Sequence, residues 1–310
     1  MNLAVDIILP VFGLVALGYV AGKAGWISQA GIEGLSTFVF NFAIPVLLFR
    51  SIAIAELPAA MPWAFLLAYY GTTLALFGVT MLAGRLFSLA GAEPAIFGMS
   101  ASYSNVVLLG IPIILGALGE AARVPLFIII STHAAVMFVV TTLLAELGSG
   151  QRERLAELPR QTIMTLARNM IVVGLVLGLI VNLAGLSLPA TVDSMASYLG
   201  EAALPCAVFS MGASISQYRI RGDIARIGTV VVLKNVAHPL LVWIACALIF
   251  RLPDTWTAVL VILAACPSGI NAYLFANRYR AIVPSTAAAV VVSTAVSIPV
   301  VSALLIWLAG

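Results

Sequence analysis

The sequence is poor in charge. Only 9% of its 310 residues are Asp, Glu, Lys or Arg, while 63% are hydrophobic; in soluble globular domains about a quarter of residues are charged. The mean hydropathy is +1.15. Too few polar residues remain to cover a water-facing surface, so the composition excludes a soluble domain and leaves a polytopic membrane protein. Cysteine is also scarce: Cys206, Cys246 and Cys266 stand in apolar segments, with no CxxC or Cys/His spacing. Neither a metal centre nor a redox pair is expected from such a pattern, and no cofactor is implied. Packing is their simplest role, although Cys206 and Cys266 each adjoin a proline. The apolar runs hold no paired acids and no credible Ser/His/Asp set, which disfavours a membrane enzyme and a carboxylate-pair cation exchanger alike. A formal net charge of +3 carried in loops gives no support to a nucleic-acid partner. The opening MNLAVDIILPVFGL lacks a basic n-region and a small-residue cleavage site, so it is expected to be a first span and not a removable signal.

What the chain does have is apolar length. Gly, Pro and charge clusters divide it into ten apolar segments, each near the ~20 residues that a spanning helix needs. Five precede the hydrophilic loop 148–161, GSGQRERLAELPRQ, and five follow it. The expected organisation is a first repeat over 1–147, a cytoplasmic linker over 148–161 and a second repeat over 162–310. Ala43-Ile44-Pro45 matches Ala203-Leu204-Pro205 at an offset of 160, as Ala24-Gly25 matches Ala184-Gly185, and Ser104-Asn105 approaches Pro267-Ser268 at 163. Several matches near one register argue for an internal repeat. An odd number of spans per repeat makes the copies cross the membrane in opposite directions, the plan of many secondary carriers. Orientation follows from Lys and Arg. With the N-terminus outside, eleven of the fifteen fall in inner loops and only Arg50, Arg123 and Arg251 outside, which places both termini outside.

Two stretches interrupt the apolar pattern. Ala101 to Leu115 carries Ser104, Asn105, Gly110 and Pro112; Ala264 to Tyr279 carries Pro267, Ser268, Ile270 and Asn271. An unpaired backbone group in lipid costs several kcal/mol, so such chain survives only under protein or beside a watery cavity. The stretches read as two halves of one buried binding site. A break exposes the positive end of a half-helix, and amides such as Asn105 and Asn271 donate hydrogen bonds without burying a charge. The expected ligand is a small organic anion, with Val106, Leu109 and Ile270 as apolar walls. Pro45 and Pro205 also interrupt their spans and read as structural kinks or breaks. Asp6, His133, Lys234 and His238 are the ionisable groups within spans, candidates for a charge or proton role. Lys234 lies about two turns from the inner loop, so snorkelling to the interface is its plainer expectation.

The segments LSTFVFNFAIPVLLFRS (Leu35 to Ser51), YSNVVLLGIPIILGALG (Tyr103 to Gly119) and CPSGINAYLFANRY (Cys266 to Tyr279) resemble matching segments of the auxin efflux carrier family. That family comprises the plant PIN-FORMED auxin exporters and bacterial homologues, some associated with malonate or malate. The resemblance covers nearly the whole chain. It implies an all-α protein of ten transmembrane helices in two inverted five-helix repeats, with broken helices 4 and 9 crossing each other. Helices 1, 2, 6 and 7 would form a scaffold, and helices 3–5 and 8–10 a domain that moves by an elevator-type cycle. It further implies a homodimer in the inner (plasma) membrane and a mono- or dicarboxylate substrate, malonate-, malate- or auxin-like. By position, Asn105 corresponds to the helix-four crossover asparagine and Pro267 to the helix-nine crossover proline. Ser104 departs from the pattern, since plant members usually have proline there, so unwinding would rest on Gly110 and Pro112. A sodium-coupled symporter and a non-transporting membrane sensor on the same fold are the alternative readings.

Overall fold

The computed structural model describes residues 3–57, 61–150, 160, 163–164, 167–218 and 221–309, and side chains within that set from residue 8 to 308. Most of the linker 148–161 and the side chain of Asp6 therefore lie outside the described residues. Because chain in an apolar medium must bond its own backbone, helix dominates. The helices are α1 (Leu3–Lys23), α2 (Gln29–Phe38), α3 (Ile44–Ala53), α4 (Trp63–Ala83), α5 (Glu93–Ser102), α6 (Ile111–Leu118) and α7 (Arg123–Gly148). After the linker come α8 (Met170–Leu183), α9 (Ala190–Ile215), α10 (Ile224–Val232), α11 (His238–Ile244), α12 (Asp254–Ala265), α13 (Ile270–Tyr279) and α14 (Val283–Ala309). Among the described residues there is no strand, only one isolated antiparallel bridge between Ser104 and Ser268.

Among the described residues, six helical runs are long and apolar enough to cross a membrane: Gln29–Ala53, Trp63–Phe87, Val106–Gly148, Ala190–Ile215, Ile224–Ile249 and Val283–Leu308. Ile8–Lys23, Met170–Leu183 and Asp254–Ala265 are shorter apolar helices. The run 106–148 contains a reversal at Gly119, whose φ of 62° and ψ of −146° suit glycine almost alone. It is thus two helices, α6 and α7.

The prolines behave more gently than expected. Wide π-type turns over Val39–Ala43, Val106–Gly110 and Leu233–Ala237 lead into Pro45, Pro112 and Pro239, each in the first two positions of the next helix. Proline supplies no N–H and its ring crowds the carbonyl four residues back, so one extra residue in the preceding turn relieves the clash without ending the helix. The span therefore bends at Pro45 and does not break. Pro205 corrects the expectation further, since α9 runs through it without interruption. One lost hydrogen bond does not stop a long helix that is packed along its length.

Two close helix pairs hold one side of the molecule. Along α1 and α9, a side chain at Gly18 would collide with the Phe209 carbonyl, at Gly22 with Ser216, and at Gly212 with the Val15 carbonyl. Along α3 and α8, Gly174 faces the Pro45 carbonyl and Gly178 that of Phe49. Small residues let membrane helices approach to backbone contact. Asn182 of α8 reinforces the second pair by donating Nδ2 to the carbonyls of Ile52, Ala53 and Ala55 at 3.0, 3.2 and 2.7 Å, where the carboxyl end of α3 lacks intrahelical donors. Arg50 closes the same end, reaching both carboxylate oxygens of Asp193 at 2.7 and 3.0 Å. Gly174→Leu should force α3 and α8 apart at a cost of about 1–3 kcal/mol or more. A lower thermal unfolding midpoint of the purified protein checks this, and Gly71→Leu, where the space is open, should leave it nearly unchanged.

Candidate functional site

Helix α5 stops at Ser102, and Tyr103 takes an extended conformation, φ −78° and ψ 111°. Asn105 starts the next helical run as its cap, its Oδ1 accepting from the Leu108 N–H at 3.2 Å. In the second half α12 stops at Ala265. Cys266 is extended, φ −55° and ψ 148°, as a residue before proline must be. Gly269 caps α13 with no side chain to offer.

The two interrupted stretches cross and bond to each other. Asn105 N–H donates to the Pro267 carbonyl and Gly269 N–H to the Tyr103 carbonyl, both at 2.9 Å. These bonds flank the Ser104–Ser268 pair, so the N–H groups of both serines point away from the crossing. Each finds a side chain: Ser104 N–H donates to His133 Nε2 at 3.2 Å, and Ser268 N–H to Ser293 Oγ at 2.9 Å. Ser293 Oγ in turn donates to Asn235 Oδ1 at 2.8 Å. Thus the backbone freed by unwinding is satisfied inside the protein, without a proline at Ser104. Gly110 and Pro112 correct the sequence reading: they lie downstream, in the π turn and in α6, and the chain opens at Tyr103–Asn105 instead. The symmetric pairing centres on Ser104 and Ser268, one residue from the register inferred by aligning the halves.

A cavity of about 470 Å³ opens beside the crossing. Ser104, Asn105, Val106, Ile270 and Asn271 line it, while Pro267 and Ser268 hold the backbone behind it. Leu109 is a correction, being fully buried in the core and not a cavity wall. Asn271 Nδ2 donates to Tyr103 Oη at 2.7 Å, and Asn105 Nδ2 rests against Met211 Sδ of α9 at 3.2 Å. A thioether is a weak acceptor, so that amide proton is readily surrendered to a better one.

The rest of the lining carries no signal in the local sequence. Phe40 and Asn41 come from the turn before α3, Ile130, Ser131 and Phe138 from α7, and Arg168, Asn169 and Met170 from the start of α8. Three helix N-termini therefore meet at the cavity: the run beginning at Val106, α8 and α13. Each brings the partial positive charge of a helix N-terminus to it. Arg168 adds a full charge, and among the described residues no lining residue is acidic. Asn169 caps α8 by accepting from Ile171 N–H at 3.0 Å, whereas the first turn of α13 has no side-chain cap.

The remaining candidates lie behind the crossing. His133 is fully buried, and because its Nε2 accepts from Ser104, its proton is assigned to Nδ1. Lys234 does not snorkel. Its side chain is fully buried and Nζ donates to the Ala264 carbonyl and to His238 Nδ1, polar partners that make the interface unnecessary. His238 Nε2 meets Thr73 Oγ1 at 3.0 Å.

The model of a family described as "Membrane transport protein" matches residues 3–305. The chain belongs to this family. It is a membrane transporter and not an enzyme, and its motif resemblance to the auxin efflux carriers points to the same group. The chain is 27% identical over 300 residues, 96% of its length and 94% of the relative's, to a protein of Rhizobium meliloti (strain 1021) named "Putative malonate transporter". It is 22% identical over 302 residues to the transporter YfdV of Escherichia coli (strain K12), covering 92% of this chain and 91% of that one. A shorter likeness, 33% over 114 residues, links 34% of this chain to 13% of the lysosomal cholesterol signaling protein of Mus musculus.

Proposed function

We propose that this transporter is a secondary carrier for a small organic anion, a mono- or dicarboxylate with malonate as the first compound to try. The observation that carries the reading is the cavity at the crossing, where three positive helix ends, Arg168 and the amides of Asn105 and Asn271 converge with no acidic residue among the described lining. Fixed donors in a partly desolvated pocket favour a carboxylate strongly over a neutral ligand. The Rhizobium relative's name lends the substrate class independent support.

The ten apolar segments form two inverted repeats in this reading, with α5–α6 and α12–α13 as the broken helices 4 and 9. α1, α2–α3, α8 and α9 are the scaffold; α4–α7 and α10–α14 move against it. Both glycine-lined contacts, α1 with α9 and α3 with α8, join one member from each half, as a two-fold-related scaffold requires. The cavity lies between that scaffold and the crossing, where an elevator movement would carry it from one side to the other. The protein resides as a homodimer in the inner membrane with both termini outside. Arg168 then belongs to the cytoplasmic side and the cavity is open inward.

Uptake of labelled malonate into vesicles of the purified protein tests the reading. Wild type should exceed protein-free vesicles, and Arg168→Gln should raise KM roughly fivefold with little change in kcat, since an exposed charge is worth about 1 kcal/mol. Wild-type vesicles that take up neither malonate, malate nor an indole carboxylate would overturn it.

A further inference from the structure

Lys234 is not used by the anion site. It sits in the wide turn Leu233–Ala237, with a side-chain exposure of 0%. Nζ donates to the carbonyl of Ala264 and to Nδ1 of His238, the latter at 3.2 Å. Among the described residues it takes part in no ion pair, and the single buried acid, Glu146, is engaged by the Tyr279 hydroxyl at 3.0 Å. An ammonium group buried without a carboxylate is costly unless another negative element faces it. That element is the carboxyl end of α12. Ala264 lies in its last turn, where carbonyls lack intrahelical donors and the aligned peptides leave about half a negative charge.

The neighbours hold the ammonium there. Thr73 Oγ1 gives its proton to the Tyr69 carbonyl at 2.7 Å, so it must accept from His238 Nε2 at 3.0 Å. Nδ1 of His238 is then free of a proton and accepts from Lys234. His133, Cys266 and Tyr69 are the other titratable groups on this side, and the Tyr69 ring lies near both histidines, 5.7 Å from His133 and 6.1 Å from His238. The helix ends at the crossing thus divide the work: amino ends face the cavity, and the carboxyl end of α12 faces Lys234.

In transporters with broken helices, half-helix carboxyl ends and unwound carbonyls are where coupling cations such as sodium are held. We infer that Lys234 is a tethered cation occupying such a position, so that the protein needs no alkali cation to hold the crossing together. The inference deepens the carrier reading by assigning it a sodium-independent cycle, but its structural half stands without any substrate.

Thermal unfolding of purified protein in choline, sodium and methylammonium chloride at equal ionic strength tests it. Wild type should show one midpoint in all three salts. Lys234→Ala should unfold at a lower temperature in choline and recover part of the loss in methylammonium or sodium, which fit the vacated space. Lys234→Met, which refills that space without charge, should be as unstable as Lys234→Ala in choline and gain nothing from either cation. Should Lys234→Ala be lost in choline, purification throughout in methylammonium or sodium is the second arm, and recovery there supports the inference. A wild type stabilised specifically by sodium, a Lys234→Met protein as stable as wild type, or a Lys234→Ala protein that neither cation restores would overturn it. None of these arms uses malonate, so they fail or succeed separately from the substrate reading.

Discussion

Asn105→Asp protein should fold as well as wild type and take up malonate at a rate lower by roughly a hundredfold. The two side chains have the same shape, and aspartate caps a helix as well as asparagine does, so the bond from Leu108 N–H to the Oδ1 atom survives. What changes is the face toward the cavity. An amide proton held only by Met211 Sδ is replaced by a carboxylate oxygen, and the cavity proposed to take an anion now carries one of its own. Two like charges about 4 Å apart repel by about 4 kcal/mol at an effective dielectric of 20; water entering the open cavity reduces that figure. Unfolding midpoints and labelled uptake measured on the same preparations check both halves. A variant that transports normally removes Asn105 from the site, and one that unfolds early makes it a structural residue instead.

The second large effect concerns the anchors behind the crossing. His133→Leu removes the acceptor for the Ser104 N–H, and Ser293→Ala removes that for the Ser268 N–H while orphaning Asn235 Oδ1. A buried donor left unpaired costs about 1–3 kcal/mol. Each single variant should therefore lose about that much stability, and both should lose uptake through a crossing that no longer holds its shape. The double variant should lose less than the sum, because both anchors brace one pair of serines. Ser293→Thr keeps the hydroxyl and should behave nearly as wild type. Denaturant unfolding of the four proteins measures the coupling, and full additivity would mean that the two anchors act on independent structures.

Much of the fold was readable because its causes are local. Apolar length between charge clusters marks helices, and Ser104-Asn105 and Pro267 to Asn271 mark where helix gives way. The departures are places where packing decides. Pro205 looked like a break, yet the glycines nearby bring α1 so close that α9 stays helical through it. Ser104 looked too weak to open a helix without proline; the acceptor that stabilises the opening, His133, is 29 residues away in sequence. Arg168 counted as a topological charge, since nothing in its neighbourhood reveals that the start of α8 folds against the crossing. Nearness to the inner loop points Lys234 to the interface, but the carboxyl end of α12 offers its ammonium a partner that only the tertiary fold brings within reach. Sequence patterns located the half-helices, and the cavity between them needed the third helix end.

The central claim, that the cavity at the crossing binds a small organic anion, is tested most directly by titrating malonate against the unfolding temperature of purified wild type and Asn105→Asp. A ligand that binds only the folded protein stabilises it by RT ln(1 + [L]/Kd), about 2.7 kcal/mol at a hundred times Kd. The wild-type midpoint should rise steadily with malonate at constant ionic strength and that of Asn105→Asp should stay flat. Equal rises in both proteins, or no rise in wild type with any carboxylate, would contradict the account.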